Sequence, residues 1–320
     1  MYNVSVSPHV REKTTTQKIM LDVAIALVPT LAFGVYHFGL NALMLILVCI
    51  VSCAAFEALY EYIMKKPITV LDFSAVVTGM IIAVNLPPTA TWWMAVMGSA
   101  FAIIVVKMLF GGLGQNFMNP ALAGRCFLMI SFTQRMTNFA IDGVSSATPL
   151  AMMRNGESLD MLELFIGNHA GCIGEVSSVA ILIGAAYLLI KKIISPRIPC
   201  IYIATTVALI AVIRLVTGEE VTVNYLVMQA LSGGLLVGAF FMATDYVTTP
   251  VTVKGQVIFA IFIGVLTALF RTLGSTAEGV SYAIIIGNLI VPLIESKTVP
   301  LPFGSERVKK FKAKAKEESK

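Results

Sequence analysis

Long apolar runs separated by short polar segments dominate the chain, and their length predicts membrane-spanning helices. A helix needs about 20 predominantly apolar residues to cross the hydrocarbon core of a bilayer. Two of the runs, 71–86 and 115–132, are short or interrupted by Gly, Asn and Pro. The pattern predicts an all-α integral membrane protein with about ten transmembrane helices, near 19–38, 41–63, 71–86, 92–110, 115–132, 172–190, 198–217, 226–245, 256–273 and 280–296.

The composition excludes the soluble alternatives. Of the 320 residues, 57% are hydrophobic and 13% are charged, and the mean hydropathy is +0.85. A soluble domain has about 25% charged residues. These values exclude a secreted disulfide scaffold, a nucleic-acid-binding protein and a soluble enzyme with a membrane tail.

Lys and Arg residues beside the spans predict the orientation, because cytoplasmic loops carry an excess of them. The N-terminal segment, the loop with Lys65 and Lys66, the loop with Lys191 and Lys192 and the C-terminal tail are basic. Both termini are therefore expected in the cytoplasm. The predicted regions are a cytoplasmic N-terminal segment 1–18, a first membrane half 19–132 with five helices, an extracytoplasmic segment 133–171, a second five-helix half 172–296 and a basic cytoplasmic tail 297–320.

An internal repeat relates the two halves. The stretch from Thr78 through Pro87-Pro88 to Leu113-Gly114 can be aligned with the stretch from Gly234 through Thr249-Pro250 to Leu273-Gly274. Five spans separate equivalent points, and an odd number places the second half upside down in the membrane. Inverted five-helix repeats place functional sites between the halves. Chance similarity between apolar segments is the alternative interpretation.

The extracytoplasmic segment contains a strip of Gly and small hydroxyl residues, Asp-Gly-Val-Ser-Ser-Ala-Thr-Pro-Leu, at 142–150. By composition alone this is an exposed, turn-prone loop. Its order, however, resembles the acceptor sequence on which a flavin transferase attaches flavin mononucleotide (FMN) to a threonine hydroxyl through a phosphoester bond. The resemblance makes Thr148 the covalent attachment residue. Ser146 stands where the motif often has Gly, and the flanking cofactor-binding residues are Asp142, Gly143, Ser145, Ser146 and Ala147.

The resemblance extends over nearly the whole chain. It includes Ser7-Pro8-His9, the opening of the first span at 20–29, the stretch 114–121 and the stretch 241–250. These motifs are similar to those of the family that contains RnfD of the Rnf electron-transport complex and its counterpart NqrB of the sodium-translocating NADH:quinone reductase. The quinone reductase member generally has a longer N-terminal extension than this chain, and this difference favours the Rnf member.

The resemblance implies a ten-helix subunit of the bacterial inner membrane that carries covalent FMN on its outer face. It also implies a complex that links ferredoxin oxidation to NAD⁺ reduction and drives Na⁺ or H⁺ outward. The expected partners are the other subunits of that complex, including a second flavin subunit and iron–sulfur subunits, and the flavin transferase that matures the chain. The sequence has no nucleotide-binding fingerprint, iron–sulfur cysteine set or intramembrane histidine pair. No complete active site is therefore expected on this chain alone.

A second candidate site lies where Gly, Asn and Pro interrupt the apolar runs at 111–120. A broken helix is tolerated in a membrane only where it is buried in protein or lines a cavity. Asn116 and Asn119 share a face if this turn is helical, and two carboxamides can hydrogen-bond the edge of an isoalloxazine ring. Helix capping is the alternative. Because the quinone reductase relative binds non-covalent riboflavin, Asn116, Asn119 and Thr78 are candidates for a second flavin site.

Charged residues within the spans form the third set of candidates, because a charge in the membrane is costly and marks a pathway or a pair. Most lie near predicted span ends, where snorkelling explains them. Asp72 and Asp245 lie near the interrupted spans and are candidates for an ion pathway. Two other functions stay open from the sequence: a component of the quinone reductase, and a non-redox channel or transporter with an inverted repeat.

Overall fold

The computed structural model of the chain describes residues 14–141, 144–145, 147–155, 160–274 and 279–300. Most of the predicted N-terminal segment 1–18 and basic tail 297–320 lies outside the described residues. So do Asp142, Gly143 and Ser146 of the predicted flavin strip.

Over the described residues the chain forms fourteen helices, one 3₁₀ turn at Val70–Asp72 and one pair of two-residue antiparallel strands, β1 Ala140–Ile141 and β2 Val144–Ser145. The helices are α1 Thr16–Phe38, α2 Leu40–Ile63, α3 Ser74–Val84, α4 Trp92–Met108, α5 Pro120–Ser131, α6 Thr133–Met136, α7 Pro149–Arg154, α8 Met161–Ile166, α9 Ser178–Ile190, α10 Arg197–Thr217, α11 Val223–Leu231, α12 Leu235–Met242, α13 Val253–Leu273 and α14 Val280–Thr298.

Helix length and hydropathy confirm a helical, multi-pass membrane protein. Helices α1, α2, α10, α13 and α14 are each long and apolar enough to cross a membrane, and α11 with α12 forms a sixth candidate that is bent by 60°. Helices α3, α4, α5 and α9 are apolar but shorter, with 10–17 residues. Each of the ten apolar runs contains one of these helices or the bent pair.

Three predicted spans begin before the helices that they contain, and side-chain caps mark the starts of two of these helices. The run 115–132 becomes helical only at Pro120, since the Asn119 carboxamide oxygen accepts the amide hydrogens of residues 121 and 122. The run 172–190 becomes helical only at Ser178, after the capping residue Ser177. The run 71–86 contains a helix only from Ser74 to Val84.

The non-helical stretch before α9 completes the end of α3. The amide of Ile173 donates to the carbonyl oxygen of Leu86 at 3.0 Å, and the amide of Gly174 donates to that of Val84 at 3.0 Å. These bonds satisfy backbone groups that the short helix leaves free. Elsewhere, α1 packs against α9, α5 packs against α14, and α10 packs against α13.

The predicted span 226–245 is broken between α11 and α12. Gly233 and Gly234 both adopt the left-handed conformation, with φ of 68° and 65°, which residues with a Cβ atom rarely adopt. The Arg271 guanidinium donates to the carbonyl oxygens of Gln229 at 2.6 Å, Ser232 at 2.8 Å and Gly233 at 3.1 Å. One arginine therefore satisfies the backbone that the break exposes.

Replacing Gly233 by alanine is expected to destabilise the protein more than the same change at Gly218. Both glycines have a left-handed φ, 68° and 76°, which costs an L-residue about 1–2 kcal/mol. A Cβ atom at Gly233 would also lie 2.7 Å from Arg271 Nη2, whereas a Cβ atom at Gly218 meets nothing within 4 Å. Thermal unfolding of the detergent-solubilised variants measures the difference. Equal losses at the two positions would contradict this account of the break.

Candidate functional site

Helices α1, α3 and α12 and the segment between α4 and α5 line a pocket with a cavity volume of about 90 Å³. This central pocket brings together Thr78, Asn116, Asn119 and Asp245, which are far apart in the sequence. Its remaining lining is mostly apolar and includes Ile19, Met20, Val23, Val77, Ile81, Leu113, Leu188, Ile193, Phe240 and Phe241. An apolar pocket with a few convergent polar groups is the usual form of a cofactor site.

The two asparagines of the pocket differ in what they bind. Asn119 caps α5, as the alternative interpretation of the sequence proposed, and its side-chain nitrogen lies 3.5 Å from the carbonyl oxygen of Met242. Asn116 is 9% exposed, and its side-chain oxygen has no hydrogen-bond partner among the described residues. A buried polar atom without a partner is uncommon, so the Asn116 carboxamide fits a ligand that donates a hydrogen bond.

The two acidic candidates have different positions. Asp245 lines the pocket and accepts a hydrogen bond from the Thr248 hydroxyl at 3.1 Å. Asp72 is not among the lining residues that the structure describes; it accepts hydrogen bonds from the Ser74 amide at 2.8 Å and the Ser74 hydroxyl at 2.5 Å. Asp72 thus reaches the pocket only through Ser74, which lines it.

A buried ion pair lies beside Ser74. The Lys107 ammonium group is 2.7 and 2.8 Å from the two carboxylate oxygens of Glu57 and 2.6 Å from the Ser74 hydroxyl. Lys107 is 2% exposed and Glu57 is 1% exposed. Snorkelling, which the sequence favoured for most charges in the spans, is therefore wrong for this pair.

Thr148 lies away from the central pocket, at the start of α7. It is half-buried beside the exposed Ala147, and its hydroxyl oxygen accepts the amide hydrogen of Ala151 at 3.4 Å as the helix cap. Of Ser145, only the backbone is described, in β2. A threonine hydroxyl can form a phosphoester bond, and Thr148 is only half-buried.

Helix α7 is docked on the end of α13. The Arg154 guanidinium donates to the carbonyl oxygens of Arg271 at 2.8 Å and Gly274 at 2.7 Å. The Leu150 side chain would lie 3.3 Å from a Cβ atom at Gly233. Helix α7, which Thr148 caps, therefore packs against the break between α11 and α12.

Two buried arginines were missed in the sequence. Arg125 in α5 donates to the side-chain oxygens of Asn85 at 2.6 Å and Ser281 at 2.9 Å, and Arg271 binds the helix break. Together with the buried Glu175, which interacts with both guanidinium groups, they form a charged cluster. A cation within an apolar run is the signal that identifies such residues.

Asn85 and Met242 link this cluster to the central pocket. The Asn85 side-chain nitrogen donates to the carbonyl oxygen of Ile81 at 2.7 Å and lies 3.9 Å from the Met242 sulfur. The Met242 carbonyl oxygen contacts Asn119 of the pocket. Contacts through Asn85 and Met242 therefore connect Arg125 with Asn119 of the pocket.

Comparisons with known proteins extend over nearly the whole chain. The model of the NQR2, RnfD, RnfE family matches residues 3–304. The chain is 50% identical to the D subunit of a Na⁺-translocating ferredoxin:NAD⁺ oxidoreductase complex from Acetobacterium woodii, over 96% of each chain. It is 40% identical to the D subunit of a proton-translocating ferredoxin:NAD⁺ oxidoreductase complex from Clostridium ljungdahlii, over 96% of this chain and 97% of the relative. It is 33% identical to the D subunit of an ion-translocating oxidoreductase complex from Escherichia fergusonii, over 96% and 99%.

Proposed function

Because the chain belongs to the NQR2, RnfD, RnfE family, we propose that it is the RnfD membrane component of an Rnf-type ferredoxin:NAD⁺ oxidoreductase complex. The family assignment drawn from the motifs is confirmed by the match over residues 3–304. Relatives at 50% and 40% identity carry the names of a Na⁺-translocating and a proton-translocating complex. The proposed role is electron relay coupled to translocation of Na⁺ or H⁺.

The proposed cofactors are FMN, attached covalently to Thr148, and riboflavin, bound non-covalently in the central pocket. Bound flavin supplies the redox chemistry, while the protein supplies position and electrostatics. Thr148 acts as an anchor. The observation that carries the second site is the convergence of Thr78, Asn116 and Asn119 in one pocket, with a buried Asn116 oxygen that lacks a partner among the described residues.

The proposed architecture is ten membrane spans in two inverted five-helix halves. The packing supports it: the first helices of the two halves, α1 and α9, pack together, and so do the last helices, α5 and α14. A two-fold axis in the membrane plane generates such like-with-like pairs. The proposed location is the bacterial inner membrane, with both termini cytoplasmic and Thr148 on the extracytoplasmic side.

The proposed partners are the other subunits of the Rnf-type complex and a flavin transferase. Neighbouring subunits are proposed to hold the iron–sulfur centres, a further flavin and the nicotinamide site, and a flavin transferase is proposed to load Thr148. The names of the relatives support membership of a multi-subunit complex. A channel or transporter without a redox role is the competing function, and it has no use for a covalent chromophore.

Thr148→Ala is expected to abolish covalent flavin. The chain is expressed together with its flavin transferase, and the denatured protein is examined for flavin fluorescence at 34.4 kDa. Thr137→Ala is the control, because Thr137 is an exposed threonine of the same segment 133–171. The wild type and the control should fluoresce, and Thr148→Ala should be dark. A dark wild-type band with an active transferase would overturn the covalent FMN and favour the transporter.

A further inference from the structure

The ion pair between Lys107 and Glu57 is fixed in position by its neighbours. The Lys107 ammonium group has three hydrogen-bonding partners, two Glu57 oxygens at 2.7–2.8 Å and the Ser74 hydroxyl at 2.6 Å. The Ser74 hydroxyl is held by Asp72 at 2.5 Å. Lys107 lies in the part of α4 that is wound as a π-helix, Phe101–Met108, and such segments are frequent at functional sites.

Only one member of the ion pair lines the central pocket. Lys107 and Ser74 line the pocket, whereas Glu57 lies behind Lys107 and is not among the lining residues that the structure describes. The positive end of the pair therefore faces the pocket. In a buried setting, charges interact far more strongly than in water, and fixed charges need no rearrangement when the charge of a ligand changes.

We infer that the positive charge of Lys107 stabilises the reduced, negatively charged form of the redox ligand in this pocket. The negative charge of Glu57 partly offsets this stabilisation. This inference rests on the proposed riboflavin site. One electron from a neighbouring carrier of the complex adds one negative charge to the ligand, and no bond forms or breaks. Lys107 offsets that charge across the pocket wall, while Asp245 on the lining opposes it.

The charged groups that act on Glu57 are Lys107, Asp72 and Glu61. Glu61 is buried, and it accepts hydrogen bonds from the Thr69 amide at 2.9 Å and from the Thr69 hydroxyl. Removing Glu57 therefore leaves Lys107 with one carboxylate fewer and strengthens its field in the pocket. Removing Lys107 takes away the positive charge on the pocket wall. A purely structural pair gives no reason for opposite effects on a ligand.

The test is a spectroelectrochemical titration of the purified whole complex. Glu57→Gln should raise the midpoint potential of the riboflavin, and Lys107→Met should lower it. Each change should alter the ratio of reduced to oxidised riboflavin at a fixed potential by at least tenfold, which is 59 mV for one electron. Lys254→Met removes an exposed lysine from α13 and should leave the titration unchanged.

A second comparison keeps the test valid if Lys107→Met alone does not assemble. In the Glu57→Gln variant, adding Lys107→Met must lower the midpoint potential again. Adding Lys107→Arg instead must leave most of the raised potential in place. Equal potentials in all variants, or shifts of one sign, with riboflavin content retained, would overturn the role of Lys107 alone. If the wild-type complex releases no riboflavin on denaturation, the proposed second flavin fails and the inference fails with it.

Discussion

Lys107→Met is expected to lower the free energy of unfolding by about 3–5 kcal/mol, because it leaves the Glu57 carboxylate buried without its partner. Glu57 is 1% exposed, and its two oxygens are 2.7 and 2.8 Å from the ammonium group. The neutral double variant Glu57→Gln/Lys107→Met should recover most of this loss, since replacing both members of a buried pair is often nearly neutral. Unfolding by sodium dodecyl sulfate in mixed micelles measures both values.

Lys191→Met is the control for that measurement. Lys191 lies 3.8 Å from Asp22, and the two side chains are 52% and 25% exposed. An ion pair of this kind contributes about 0–1 kcal/mol. A loss at Lys107 no larger than the loss at Lys191, or a double variant as unstable as Lys107→Met, would contradict the account of a desolvated pair.

Arg271→Met is expected to cost at least about 3 kcal/mol, because it removes the donors for three backbone carbonyls at the break between α11 and α12. A hydrogen bond to a charged group contributes about 1.5–3 kcal/mol. Arg271→Lys should restore only part of the loss, since one ammonium group does not reproduce the planar fork of a guanidinium. The same unfolding assay measures the loss of stability. The reaction of a cysteine introduced at Ser232 with a thiol reagent measures how far the break opens.

Arg214→Met is the control for Arg271→Met. Arg214 pairs with Glu219 at 2.9 Å and lies 3.8 Å from the centre of the Tyr225 ring, but it is partly exposed and Glu219 is 58% exposed. Its replacement should cost no more than about 2 kcal/mol, the sum of an exposed ion pair and an exposed cation–π contact. A similar loss for Arg214 and Arg271 would mean that the break does not depend on its arginine.

The apolar pattern predicted the helical elements, and the short polar motifs contained several residues that the structure brings into one pocket. Each of the ten runs contains a helix or the bent pair, and Thr78, Asn116, Asn119 and Asp245 converge. Hydropathy could not locate the starts of α5 and α9, because an apolar residue before a cap is as hydrophobic as one after it. The capping side chains Asn119 and Ser177 carry that information.

The partners of the buried charges could not be predicted from the sequence, because they come from distant segments. Lys107 and Glu57 are 50 residues apart, and Arg125 and Ser281 are 156 residues apart. Helical periodicity relates only residues three or four positions apart. The sequence can show that Arg125 and Lys107 lie within apolar runs, but only the packing of α2 on α4 and of α5 on α14 identifies what they bind.

The break between α11 and α12 has a consequence for biosynthesis. Its carbonyl groups are satisfied by an arginine 39 residues further along the chain from Ser232, so α11 and α12 leave the ribosome before their hydrogen-bond donor does. Unsatisfied backbone groups cost several kcal/mol in lipid, and an unpaired arginine within a membrane segment is costly as well. Each segment compensates for the other, and we therefore expect α11, α12 and α13 to enter the bilayer as one unit.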